Sequence, residues 1–203
     1  MSLKVQEGGE FKSVDAGTYP ARCIKVIDLG TQHGEYLGIA QVKKQVLISF
    51  ELPTELIESG EWAGSPYSLS KFYTASLSEK ATLRHDLEAW RGRPFTEEEL
   101  KGFDLKNVLG KPCMVSVIKT DTGKSKINSV MAVMKGMTVA EAFNPLVHFD
   151  IDEWDGAIFT EISDGVKKII MQSDEYKEKT EEVKETPATE GEREPGDEPD
   201  IPF

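Results

Sequence analysis

Three adjacent residues, Lys71, Phe72 and Tyr73, join a cation to two flat rings inside a segment rich in β-formers, PYSLSKFYT. Lysine neutralises phosphate, and an aromatic face accepts a stacked base of any identity. This combination on a strand is the chemistry of single-stranded nucleic-acid binding. Alternation along a strand gives Lys71 and Tyr73 one face and Phe72 the other. Similar residues recur nearby: Arg22 and Lys25 in TYPARCIKVIDL, Tyr36 in the loop that follows, Lys43 and Lys44 at the start of the next segment, and Lys124 and Lys126 beyond the turn Asp121-Thr122-Gly123. Any single one of these lysines serves equally well to solvate an outer face. Their collective placement on strands and a hairpin is what favours a binding surface. A second aromatic and cationic cluster, WRGRPF, ranks below it: Trp90 ends a helical stripe and reads as core, and Arg91 and Arg93 complement a helix C-terminus.

Catalytic patterns are scarce. His33, His85 and His148 stand alone, no serine has a nucleophile-elbow context, and no glycine-rich loop precedes a lysine. Cys23 and Cys113 sit far apart in apolar stretches and read as buried thiols, not as a disulfide or metal ligands. Asp150, Asp152 and Glu161 echo a calcium loop, but the sixth position is Asp155 where glycine is needed, and Trp154 replaces an oxygen ligand at the fifth. An acidic loop ahead of a helix over Ile158 to Ser173 is the reading taken, with no metal site, no catalytic residue and no cofactor.

The elements that must position the lysines are mostly short strands. TYPARCIKVIDL closes at Gly30. In the segment Gln41 to Leu52, Val46, Ile48, Phe50 and Leu52 alternate with Leu47, Ser49 and Glu51, a period of two that puts one set on a core face. PYSLSKFYT is a third strand. From Ser76 to Arg91 the period becomes helical through Leu77, Ala81, Leu83, Leu87 and Trp90, with Ser76 and Glu79 spaced as a capping box and Gly92 as the stop. Thr96 and Glu99 repeat the box spacing. Pro112 to Thr120 and Lys124 to Val133 are the fourth and fifth strands. The expected fold is mainly β: a five-stranded OB-fold barrel with a helical insert between strands 3 and 4. An SH3-like barrel or a small sandwich is the alternative topology.

Charge is divided along the chain. Residues 1–140 hold 18 Lys+Arg against 17 Asp+Glu, a net of +1, and residues 141–203 hold 6 against 19, a net of −13. The overall −12 therefore belongs to the C-terminal third and does not argue against a nucleic-acid ligand. Expected organisation is a flexible N-terminus at 1–12, the OB-fold domain at 13–140, a C-terminal helical extension packed on the barrel at 141–175, and a disordered acidic tail at 176–203. No apolar run reaches the length of a membrane span, and MSLKVQEGGE has no apolar signal core, so a cytoplasmic protein is expected.

The tail ends Asp200-Ile201-Pro202-Phe203 after an acidic segment containing Pro and Gly, and it resembles the C-terminal tip of bacterial single-stranded DNA-binding proteins. Carried over by this resemblance are Asp197, Glu198, Asp200, Ile201, Pro202 and Phe203 as the partner-binding tip; Pro199 interrupts the acids that the family shows there. WRGRPFTEEEL and LKNVLGKPCMVSV are similar to a group of phage-encoded proteins assigned to single-stranded DNA binding. The resemblance implies an OB-fold that holds single-stranded DNA without strong sequence preference. It also implies a tip that recruits replication, recombination and repair proteins, within a host cell's cytoplasm. Physically, Phe203 joins a ring to a carboxylate, which suits an apolar pocket edged by basic side chains. Two other classes stay open: a protein-interaction adaptor or decoy that mimics the host tip without binding DNA, and an oligonucleotide-processing enzyme using Asp150, Asp152 and Glu153. Oligomeric state is open as well.

Overall fold

The computed structural model describes residues 13–185. The expected flexible N-terminus and the tip residues 197–203 lie outside the described residues. Strands β1 (Gly17–Tyr36) and β2 (Ile39–Leu56) form one long antiparallel hairpin, turned by Leu37 and Gly38 at φ of 52° and 77°. Two positive φ values in a two-residue loop match the twist of the flanking strands. Register shifts between Cys23 and Lys25, and between Asp28 and Gly30, let the 20-residue β1 coil as it runs.

Strand β3 (Pro66–Thr74) pairs with the second half of β2. Helices α1 (Thr82–Arg91) and α2 (Glu97–Lys101) and a 3₁₀ turn (Leu105–Val108) follow. Then β4 (Pro112–Lys119) returns antiparallel to β1, and β5 (Ser125–Met131) pairs with β4. The strand order is β3-β2-β1-β4-β5, with the short β6 (Val147–Phe149) joining β1 in parallel to make six strands. The sheet does not close into a barrel: no ladder joins β3 to β5. The Lys71 ammonium crosses that gap instead, donating to the Asn128 carbonyl on β5 at 2.6 Å.

Two apolar clusters hold the sheet. The first lies inside its curve, where Val46, Ile48 and Phe50 of β2 meet Leu83, Leu87 and Trp90 of α1. The second lies on the opposite face. There Ile27, Leu29 and Leu47 are covered by Phe149 of β6, by Ile151 and Ile162, which follow β6 and helix α3 (Gly156–Glu161), and by Ile170 of helix α4 (Asp164–Ile170). Leu47, Ser49 and Glu51, the set alternating with the core face in sequence, are consequently buried too. A fifth helix, α5 (Asp174–Glu185), occupies residues that composition alone assigns to the tail. Its start is fixed by the Ser173 hydroxyl, which accepts from Tyr176 N, and by Glu175, which accepts from Thr31 N and Oγ1 at 2.7 Å each. Gly30 is required here, because a Cβ at its φ of +68° would lie 2.6 Å from the Ser173 side chain.

A cross-strand pair of opposite charge ties down the chain between the two clusters. Arg22 and Glu51 face each other in the β1–β2 register. Arg22 donates to the carbonyls of Gly110, Val139 and Ala140, and Glu51 accepts from Phe143 N, Asn144 N and Asn144 Nδ2. Both side chains are buried, and each is satisfied by backbone that must pass over the sheet.

Candidate nucleic-acid interface

The gap between β3 and β5 opens to solvent as a groove of about 660 Å³, walled by β3, β5 and the start of α1. Lys71, Phe72 and Tyr73 come from β3, Lys80 and Thr82 from the approach to α1, and Ile118 and Lys126 from β4 and β5. Phe72 is 53 % exposed, so its ring stands free at the wall. Among the described residues, three lysines line this groove and no carboxylate does. Lys80 and Lys126 are exposed and have no acidic partner among the described residues. Helix α1 begins at the groove with no side chain capping its first turn, because Ala81 occupies the N-cap.

Lys71 and Tyr73 play a different part from Phe72, as their shared strand face requires. Both point to the inner side, where Asp86 of α1 accepts from Lys71 Nζ at 2.7 Å and from Tyr73 Oη at 2.8 Å. The Lys71 and Asp86 side chains are 11 % and 10 % exposed. Burial, followed by the Asp86 charge, pushes the Tyr73 phenol well above its ordinary range. Lys71 thus latches β3 to α1 and β5 at the groove floor. Tyr73 is core, which leaves no ring face for a base.

The other residues expected at the interface separate into five places. Tyr36 and Lys43 are exposed on the β1–β2 arm; the register pairs Tyr36 with Ile39, so Tyr36, Ile39, Gln41 and Lys43 share one arm face. Lys124 is exposed in the β4–β5 turn, outside the groove lining. Arg22 is the buried clip described above: four of its five N–H groups are bonded to Gly110, Val139, Ala140 and Glu141, and the side chain is not presented to solvent for a phosphate. Lys25 lines a separate cavity on the opposite sheet face. Lys44 lies between two acids, 3.1 Å from Asp28 and 3.4 Å from Asp152. Burial opposes charge on Lys44, yet the Asp28 hydrogen bond and both carboxylates outweigh it and raise its pKa. Burial also raises the pKa of Asp28, against the pull of Gly30 N and Lys44.

The same ammonium bears on the acidic loop. Carboxylate oxygens of Asp28, Asp150 and Asp152 converge within 4.8 Å of one another, and Lys44 supplies the positive charge between two of them. The calcium-loop spacing does not describe this arrangement. Asp155 instead caps α3, accepting from Ala157 N and Ile158 N, while Glu161 lies on the wall of the Lys25 cavity.

Neither a protein-family model nor a curated protein sequence matches this chain. Sequence reasoning missed Lys80, Thr82 and Ile118. Lys80 falls inside the helix expected from Ser76, whereas Ser76 Oγ accepts from Ser78 N and the helix begins at Thr82. No helix among the described residues is long and apolar enough to cross a membrane. Both thiols are buried and unpaired, and burial pushes Cys23 up to about 12 and Cys113 higher still.

Proposed function

We propose that the protein binds single-stranded DNA without strong sequence preference, in phage or prophage replication or recombination, and recruits partner proteins through its DIPF tip. One observation carries the first half: in a chain of net charge −12, the β3–β5 groove has two lysines without an acidic partner, Lys80 and Lys126, an exposed phenyl ring and, among the described residues, no acid on its walls. Phe72 offers a stacking platform, Lys80 and Lys126 neutralise phosphates, and the uncapped start of α1 favours the same charge. The Tyr36 and Lys43 face of the arm and Lys124 extend the surface. The sheet is read as an OB-type barrel opened between β3 and β5, since a helix between the third and fourth strands and a β1–β4 pairing suit that fold.

Titration of oligo-dT tests the reading. Binding in the micromolar range or tighter at low salt is expected, weakening steeply as salt rises. Lys80→Gln with Lys126→Gln should lower the salt slope by about two phosphate contacts. Absence of binding at low salt would reject it. Removing residues 186–203 should strengthen binding at low salt, because the acids of that segment compete for the same lysines.

The alternative is an adaptor that binds protein and not DNA. It is favoured by the arm tip, where Leu37 holds a positive φ while 83 % exposed, between exposed Tyr36 and Ile39. Pull-down of tip-recognising partners with no oligo-dT binding would select it.

A further inference from the structure

The second cavity is on the far side of β3 from the helix α1 wall, between the outer sheet face and the segment that carries α3 and α4. It holds about 160 Å³. The register places its floor in a single row across four strands: Val147 of β6 opposes Lys25 of β1, Lys25 opposes Ser49 of β2, and Ser49 opposes Ser70 of β3. Directly opposed residues put their side chains on one face, about 5 Å apart.

This row is rich in donors that nothing claims. Lys25 Nζ carries three N–H groups, and none has an acceptor or an ion pair among the described residues. Ser49 Oγ and Ser70 Oγ bond to each other at 2.8 Å, which uses one of their two hydroxyl protons. The other proton has no acceptor among the described residues; Ser49 is 4 % exposed and Ser70 is exposed. Asn144 adds an amide whose bond to Glu51 at 2.6 Å holds it in place with one N–H to spare. Among the described residues a single carboxylate, Glu161, reaches the wall; it is exposed and forms no ion pair with Lys25. Lys25 is half-buried and Ser70 exposed, so an entering anion exchanges solvent for these donors.

We propose that this cavity is an oxyanion site that takes one phosphate group on Lys25, Ser49 and Ser70. The group is either free inorganic phosphate or a phosphate of the bound strand. Ser70 lines both cavities, so a strand stacked on Phe72 reaches Lys25 by crossing the outer face of β3. That second source rests on the DNA-binding reading; the pocket itself does not.

The test uses the full chain. Inorganic phosphate is titrated at constant ionic strength, balanced with chloride, and followed by amide chemical shifts. Saturable shifts at Ser49, Ser70 and Asn144 are expected, at least tenfold weaker in Lys25→Gln, restored in Lys25→Arg and tightened in Glu161→Gln. A gain of affinity in Glu161→Gln cannot arise from misfolding. No saturable response, or equal binding by Lys25→Gln, overturns the site. A second arm measures oligo-dT affinity against salt. Lys25→Gln should weaken binding three- to tenfold and lower the salt slope by about one contact. If wild type binds oligo-dT and Lys25→Gln matches it in affinity and slope, the strand path is overturned. If phosphate binds and oligo-dT does not, the pocket stands and the DNA-binding reading falls.

Discussion

Two lysine–aspartate pairs flank the sheet, and they differ in how deeply they are held. Lys71 and Asp86 are about nine-tenths buried and join three elements: β3, α1 and β5. Lys44 is 42 % exposed, and its second partner, Asp152, is 66 % exposed. The first pair spans the gap where backbone pairing stops, so structure depends on it. The second pins an acidic loop to the base of the β1–β2 arm in reach of solvent. Both remove a lysine from the cations available to a ligand, but only the first is built into the core.

Four outcomes break or sharpen this contrast. Asp86→Ala leaves Lys71 buried without a counter-charge and Tyr73 Oη without an acceptor, and should cost about 3–5 kcal/mol in denaturant unfolding. A loss under 1 kcal/mol would mean that the latch does not close the sheet. Ile170→Ala tests the outer cluster that the acidic loop leads into; Ile170 is fully buried, and truncation should cost about 2–4 kcal/mol. Lys44→Ala should cost less than about 1 kcal/mol, as solvent-screened pairs do. A larger loss would put the two pairs in one class.

The smallest effect is a pH dependence at the α1–α2 corner. Glu99 accepts from Arg93, from Thr96 N and from Arg91, and these hold its carboxyl down at about 2, against an ordinary 4.5. A depressed carboxylate stabilises the fold fully above pH 4.5, and that contribution fades as pH falls towards 2. Thermal melts between those limits should show Glu99→Gln less stable than wild type at the upper end and converging with it at the lower.

Local patterns were legible where the governing forces are local. The Thr96–Glu99 capping box forms as its spacing predicts, with Thr96 Oγ1 accepting from Glu99 N and Glu99 accepting from Thr96 N. The alternation of Val46, Ile48, Phe50 and Leu52 did identify one core face. It could not reveal that Leu47, Ser49 and Glu51 are buried as well, since their cover arrives from residues 143–170. The Ser76–Glu79 spacing also misled, because Ser76 satisfies Ser78 N in a turn and the helix waits for Thr82. Residues 176–185 read as tail on composition, yet Tyr176 stacks against Phe159 and packs at a tilt against Trp154, and α5 continues from there.

The sequence by itself determined the charge division at residue 140, the mainly β character and the aromatic-cationic stretch at 71–73. Each of these depends on residues close together in the chain. Tertiary structure decided which cations are free. Asp86 lies 15 residues from Lys71, and Asp152 lies 108 residues from Lys44. Coulomb attraction acts through space, so only the folded chain separates a lysine held by aspartate from Lys80 and Lys126, which face an open groove.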